Sequence, residues 1–226
     1  MLTYLLNGNF TSAAIFMLSS MVVILVTLPF HELAHAVVAN KLGDPTAKNL
    51  GRITLNPMAH LDQTGSVMIL LFGFGWAKPV PINMNNFANP KRDMAISALA
   101  GPIANILMAF VSLIIYYCIV LVDFKTGAGS GAYSYLYLFF SIVVTLNLYL
   151  AVFNLIPIPP LDGSRVLTAF LPNQAYYQVM QWERYSFAIL MILIMTGILR
   201  GPLNFLSDQL FALISWPLQQ IFMFFI

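Results

Sequence analysis

The sequence predicts an all-α, polytopic membrane protein with about four or five transmembrane helices. Of its 226 residues, 60% are hydrophobic and only 8% are charged, and the mean hydropathy is +0.83. A soluble domain carries about 25% charged residues, so that class is excluded. The apolar residues also fall into long runs, and about 20 such residues are needed to cross the bilayer core. We expect residues 1–226 to form a single integral-membrane domain.

Charge and cysteine content exclude other classes. The net charge is only +2 and no lysine or arginine tract is present, so no nucleic-acid partner is expected. Cys118 is the only cysteine, which excludes a disulfide framework and a thiolate zinc site. Because the N-terminal residues lack a basic region and a small-residue cleavage site, we expect the first apolar run to be a permanent span.

The first predicted span covers about residues 11–38 and contains His31-Glu32-Leu33-Ala34-His35. On a helix, residues i and i+4 share one face, so both imidazoles can reach one Zn²⁺, with the carboxylate beside the water that the metal activates. This pattern predicts metal-assisted hydrolysis within a membrane. A carboxylate at membrane depth costs about 2.5–3.5 kcal/mol, so Glu32 needs an explanation, and the alternatives to a catalytic role are a structural ion pair and a polar residue at a helix end. Pro29 is expected to kink the helix.

Glycine and proline interrupt residues 40–90, which indicates loops and short extended pieces. Within this region, residues 65–76 are apolar over only about 12 residues, or about 18 Å of helix, which suits a re-entrant or interfacial segment. Residues 52–55 and 78–82 are expected to be extended, and the prolines would confine the second piece to a sheet edge. We place the re-entrant or short-strand region at about residues 50–84.

The remaining apolar runs predict spans at about residues 94–122, 133–156 and 184–199, the last of which is short. Residues 203–226 form either a fifth span or an interfacial helix, because polar residues and a proline interrupt them. The second span contains Ala100-Gly101-Pro102-Ile103-Ala104-Asn105, whose small residues favour close helix packing.

Lysine and arginine predict the orientation. Six of these residues lie between the first and second spans, which places that region on the cytoplasmic side. The third span then returns to the cytoplasmic side and places the stretch Asn154–Asp162 there. A catalytic zinc normally has three protein ligands and a water, so two histidines need a third partner. Asp162 reaches a similar depth only if residues 65–76 do not cross the bilayer.

Asn154 and Asp162 flank a proline-rich end of the third span. Such an irregular backbone is tolerated at membrane depth only where it lines a cavity or is buried in protein. Asp162 followed by Gly163 could form an interfacial turn, but the upstream histidine pair favours metal ligation. Asn154 could cap the helix or bond between helices, or it could donate to a developing oxyanion, and both interpretations stay open.

His60 is the only other histidine. It could be a metal ligand in some state, a group behind the ligands, or a loop histidine bonded to Asp62. We favour the last interpretation.

Three motifs, in this order, resemble the site-2 protease family of intramembrane zinc metalloproteases. They are the His31–His35 segment, the Ala100–Asn105 segment, and the stretch from Asn154 to Gly163. The resemblance covers about residues 29–167. It implies that His31, His35 and Asp162 bind one catalytic Zn²⁺, that Glu32 activates the water, and that Asn154 assists at the oxyanion or orients substrate.

The resemblance also implies that the region between the first two motifs enters the membrane as short strands. Residues 78–82 would then dock an unfolded substrate segment by edge pairing. Larger members of the family carry another helix ahead of the metal helix and a PDZ or CBS domain. Here only about 30 residues precede His31 and every loop is short, so we expect a compact core form without those domains.

The sequence therefore predicts an intramembrane zinc endopeptidase that cleaves transmembrane segments of other membrane proteins, as in regulated intramembrane proteolysis. The expected partners are a membrane-protein substrate with a transmembrane helix and the lipid bilayer. The expected location is a bacterial or archaeal plasma membrane, with the active site towards the cytoplasm. The alternatives are a metal transporter, which predicts polar residues along several spans, and a non-catalytic binder whose structural zinc has four protein ligands.

Overall fold

The computed structural model describes residues 2–72, 76–127 and 131–225, and this part of the chain forms ten α-helices. They are α1 (Leu2–Leu6), α2 (Phe10–Val22), α3 (Leu28–Lys41), α4 (Thr46–Asn49), α5 (Gln63–Phe72), α6 (Pro90–Thr126), α7 (Gly131–Asn154), α8 (Asp162–Ala169), α9 (Asn173–Thr196) and α10 (Arg200–Met223). A π-helical turn, Val23–Thr27, joins α2 to α3, and short 3₁₀ turns lie at Pro57–Ala59 and Met84–Asn86. No β-strand occurs in these ranges, and the predicted all-α polytopic fold is confirmed.

Three helical stretches are long and apolar enough to cross a bilayer: Phe10–Lys41, Pro90–Thr126 and Tyr133–Asn154. Two further stretches, Arg184–Thr196 of α9 and Arg200–Met223 of α10, meet at 85° and form either one broken span or a re-entrant pair. Gly197, with a φ of +73°, adopts the left-handed conformation that ends α9. Many large apolar side chains on these helices are exposed, which indicates that lipid surrounds them.

The first long helix is widened just before its histidines. Pro29 has no N–H, so it cannot bond to the carbonyl four residues earlier. At this point the chain forms the π-helical turn, in which the N–H of Leu28 bonds to the carbonyl of Val23. The turn accommodates the absence of the Pro29 N–H, so the helix continues into α3, which contains the histidines. Such π-turns are frequent near functional sites.

The α5 helix is short, and the chain segments before and after it lie close together. It has ten residues, or about 15 Å of helix, which is too short to cross a bilayer. The N–H of Lys78 donates to the carbonyl of His60 at 2.8 Å, so the loop of residues 61–77 closes on itself. A Cβ on Gly65 would lie 2.9 Å from the backbone nitrogen of Trp76, so this close approach requires glycine.

Buried apolar contacts hold α5 against the first long helix. Ile69 of α5 is 2% exposed and packs with Ile24 and Leu28. At the N-terminus of α5, the carboxylate of Asp62 accepts the Gly65 N–H at 2.8 Å and caps the helix. The short helix is thereby fixed beside α2 and the start of α3.

The two pieces expected to be short strands, residues 52–55 and 78–82, are not strands, so the expectation from the family resemblance is wrong for these residues. The prolines at positions 79 and 81 have no N–H to offer a ladder. The polar backbone groups of Lys78 bond instead to the His60 carbonyl and to the side chain of Arg52.

A buried carboxylate joins the loops on the two sides of the re-entrant region. Asp44 accepts hydrogen bonds from Thr46, from the side chain of Asn86 and from the N–H of Asn83. Although burial alone would raise it, these donors hold the pKa of the Asp44 carboxyl below its ordinary value. The loop after α3 and the loop before α6 therefore behave as one unit.

The α6 helix lies at the centre of the fold and packs against α3, α7 and α8. Residues of α6, α7 and α10 form a buried apolar cluster that consists of Ala109, Leu113, Val144, Leu148 and Leu218. Because α3 and α8 both contact α6, residues that are more than a hundred positions apart in sequence meet beside its first half.

Candidate active site

The α3 helix presents His31 and His35 on one face, one turn apart. Both are buried, and their Nε2 atoms are 3.0 Å apart. Glu32 lies between them in sequence and is also buried, at 8% exposure. The spacing of the motif therefore gives the geometry expected for a pair of imidazole ligands.

Asp162 joins the histidines from the first residue of α8. Its Oδ2 atom lies 3.4 Å from Nε2 of His31 and 3.4 Å from Nε2 of His35. Gly163 permits this approach, because a Cβ there would lie 2.7 Å from the carbonyl oxygen of Ile156. Three potential ligand atoms therefore surround one point. In the described residues this is the group of histidine and acidic side chains that could hold a metal ion.

The triangle of atoms has the dimensions of a zinc site. Ligands at the usual distances of about 2.0–2.1 Å in a tetrahedron are about 3.3 Å apart, close to the observed 3.0, 3.4 and 3.4 Å. Although Oδ2 of Asp162 is near both imidazoles, it makes no well-aligned hydrogen bond and is shielded from solvent. A buried carboxylate oxygen in that position needs a cation, so the residues fit zinc.

Hydrogen bonding also prepares His35 for a metal. Its Nδ1 atom lies 2.7 Å from the carbonyl oxygen of Ser97 on α6. A carbonyl can only accept, so Nδ1 carries the proton and the lone pair of Nε2 faces Asp162. His35 and Asp162 can therefore each offer one ligand atom to the same metal ion.

Gly101 of α6 leaves room for the two imidazoles. A Cβ at this position would lie 2.6 Å from Nε2 of His31 and closer still to Nε2 of His35. The small residues of the second span thus serve a specific purpose, because they bring the backbone of α6 into contact with the potential ligand atoms.

Glu32 does not belong to the triangle. Its Oε2 atom accepts a hydrogen bond of 2.9 Å from the backbone N–H of Val80, in the stretch that follows α5. The other carboxylate oxygen has no such partner in the described residues. No pattern in the sequence indicates this contact, because it joins positions that are 48 residues apart.

Two cavities meet at the triangle. One, of about 310 Å³, is lined mainly by apolar side chains and also contains His31, Glu32, Asn154 and Asp162. The other, of about 230 Å³, is more polar and contains Glu32, His35, Asp162 and Arg165. The structure therefore places Asn154 beside the candidate ligands, at the end of α7, on the apolar side.

His60 is not close to the triangle. It is completely buried, and its Nε2 atom bonds to the carbonyl of Thr54 at 2.9 Å. The interpretation that it bonds to Asp62 is wrong, because its Nε2 atom bonds to Thr54 and its Nδ1 atom has no partner among the described residues. His60 is a loop histidine whose carbonyl anchors Lys78.

Comparison with known proteins identifies the family. The sequence profile of Peptidase family M50 matches residues 19–197. The chain belongs to Peptidase family M50. YwhC of Bacillus subtilis is 39% identical over 204 residues, which cover 86% of this chain and 90% of YwhC. MJ0611 of Methanocaldococcus jannaschii is 32% identical over 61% of this chain and 63% of its own, and Rip2 of Mycolicibacterium smegmatis is 26% identical over 85% and 70%.

Each of these relatives carries a zinc metalloprotease name. No solved structure matches the chain. The resemblance to site-2 proteases is thus confirmed, and so is zinc as the cofactor. The M50 chain is an integral-membrane zinc metalloprotease.

The contact between Gly101 and the imidazoles yields a prediction. In Gly101→Ala, the added methyl group would displace His31 and His35, so the purified protein should lose most of its bound zinc. The matched control is Gly201→Ala in α10, where a Cβ would meet no atom within 4 Å. Zinc per protein, measured by mass spectrometry, should fall in the first variant alone. Full zinc content in Gly101→Ala would contradict the placement of the ligands.

Proposed function

We propose that this protein is an intramembrane zinc endopeptidase of the HExxH type that hydrolyses peptide bonds within the transmembrane segments of other membrane proteins. The observation that carries the proposal is the meeting of His31, His35 and Asp162 beside Glu32 at the junction of an apolar and a polar cavity. The apolar cavity suits a substrate segment, and the polar one suits water.

In this proposal His31, His35 and Asp162 hold one zinc ion and leave its fourth position open. Zn²⁺ bound there would polarise the scissile carbonyl and activate a water molecule. Glu32 accepts a proton from the attacking water and passes it to the amide nitrogen as the carbon–nitrogen bond breaks. The products are a carboxylate and an amine, so the proton count balances.

Asn154 is the proposed oxyanion donor, because it lines the apolar cavity together with His31 and Glu32. A substrate helix hides its peptide bonds, so it must unwind locally before attack. Helices that contain glycine or proline should therefore be favoured substrates.

The test of this function uses purified protein and single-span membrane proteins in detergent or vesicles. Cleavage within the transmembrane segment, located by mass spectrometry, should stop with a chelator and return with added zinc. Cleavage that resists chelation, or that falls only in soluble loops, would overturn the proposal.

Glu32→Gln separates the base from the metal ligands. The change keeps the shape of the side chain but removes its ability to take a proton. Zinc content should stay near that of the wild type, whereas turnover should fall by about 10² or more. Asp208→Asn on α10, which removes a carboxylate beside a different cavity, is the control and should cleave normally. A joint loss of zinc and activity in Glu32→Gln would argue that Glu32 is a ligand.

We also propose that the loop after α3 faces the cytoplasm of a bacterial or archaeal cell, as the distribution of lysine and arginine suggests. The test replaces Cys118 with serine and then introduces one cysteine at exposed Lys48 or at exposed Lys125. In intact cells, an impermeant maleimide should label position 125, and it should label position 48 only after permeabilisation. Labelling of both positions from the same face would reject this topology.

A further inference from the structure

The stretch Trp76–Ile82, hereafter the strap, lies beside the proposed base and forms neither a helix nor a strand. Three hydrogen bonds fix it. The N–H of Lys78 donates to the His60 carbonyl at 2.8 Å, and the carbonyl of Lys78 accepts from Nη2 of Arg52 at 2.7 Å. Two residues later, the N–H of Val80 donates to Oε2 of Glu32 at 2.9 Å. The strap is thus anchored at Lys78, and the next backbone N–H along the chain, that of Val80, donates to Glu32.

In the sequence of the strap, the residues on both sides of Val80 lack a backbone donor. Val80 lies between Pro79 and Pro81, which have no N–H. Lys78 and Val80 each precede a proline, and this position favours an extended backbone before any tertiary contact forms. The local sequence therefore holds the Val80 N–H in a fixed direction at a small entropic cost. Because this donor is committed to Glu32, it cannot also pair with a substrate strand.

The carboxylate of a glutamate rotates easily about its last torsion, which has broad minima. A hydrogen bond to one oxygen removes that freedom. With Oε2 held by Val80, the other oxygen is the one that remains to take a proton from water. Orientation of this kind accounts for large parts of enzymatic rate enhancement, because small misplacements of a catalytic group are costly.

Arg52 is the residue that keeps the strap in place. It is 9% exposed, and its guanidinium bonds to the Lys78 carbonyl. Buried arginines are uncommon unless they are paired, and among the described residues the partner is a backbone oxygen two residues from the Val80 donor. Arg52 does not line either cavity of the active site, so any effect on the reaction passes through the strap.

We propose that the Val80 N–H is a positioning group that orients Glu32 for proton transfer, and that Arg52 is a positioning residue that holds this N–H in place. The inference rests on the proposed function, because it takes Glu32 as the base. It gives the strap a role in turnover.

The first part of the test is a measurement that does not depend on proteolytic activity. Hydrogen–deuterium exchange of the zinc-loaded protein, resolved at single residues of the strap, should show slow exchange at Lys78 and Val80. Glu32→Ala removes the acceptor, so exchange at Val80 should rise about tenfold or more while Lys78 stays slow. Arg52→Ala should speed exchange at Val80 as well. Fast exchange at Val80 in the wild type, or no change in Glu32→Ala, would overturn the proposal.

The second arm removes the donor alone. Incorporation of the hydroxy-acid analogue of valine at position 80 replaces its N–H by an ester oxygen and keeps the side chain. The turnover number kcat should fall about tenfold or more, the usual order for a hydrogen bond to a charged group, while KM and zinc content change less than about twofold. The matched control is an ester at exposed Leu55, which lines neither cavity and whose N–H has no partner in the described chain, and it should behave like the wild type.

Substitutions of Arg52 complete this arm. Arg52→Ala should lower kcat, and Arg52→Lys should restore part of it, because an ammonium group can still donate to the Lys78 carbonyl. Equal effects of the two esters, a rise in kcat at position 80, or a change in KM alone would each overturn the inference. If the wild type cleaves nothing, the proposed function fails, whereas the exchange arm still decides whether Val80 holds Glu32.

Discussion

A single helix can offer a metal ion only two imidazoles one turn apart, and this limit shapes the rest of the fold. The third ligand atom must come from another element and must arrive at the same depth. Asp162 supplies this third ligand atom from the start of a short helix that follows the proline-rich end of α7. The loop closed between His60 and Lys78 matters for the same reason, because a loop that crossed the bilayer would leave Asp162 on the wrong side.

Close backbone approach is the physical means by which these elements meet. Glycine stands at three of the contacts: Gly101 against the imidazoles, Gly163 against the end of α7, and Gly65 against Trp76. At each, a Cβ would occupy space that a neighbouring polar atom already fills. In a bilayer, where apolar burial adds little to helix association, such contacts and interhelical hydrogen bonds carry much of the packing. The bond from His35 to Ser97 is one of these.

Much of this could be read from the sequence, because the relevant signals are local. The apolar runs predicted the membrane fold, and the spacing of His31 and His35 predicted a shared face. Asp162 was the harder inference, since it required an argument from ligand number and topology. The arrangement that brings it to the histidines depends on the contacts of α6 with both α3 and α8, which no local pattern encodes.

Other features could not be predicted, for identifiable reasons. The bond from Val80 to Glu32 and the bond from Arg52 to Lys78 each join a side chain to a backbone group, 48 and 26 residues away respectively, and no local sequence pattern indicates such a contact. His60 was assigned to the nearest carboxylate in sequence, whereas its true partner is a carbonyl. The expected strands did not form, because the prolines of the strap remove the donors that a ladder needs.

The most direct test of the central claim is zinc K-edge X-ray absorption of the purified protein with one zinc per chain. We expect a shell of nitrogen and oxygen at about 2.0–2.1 Å, with the outer-shell signal of two imidazoles and no sulfur. In Asp162→Ala the zinc content should fall sharply. A sulfur ligand, a single imidazole, or an unchanged shell and full occupancy in that variant would contradict the site described here.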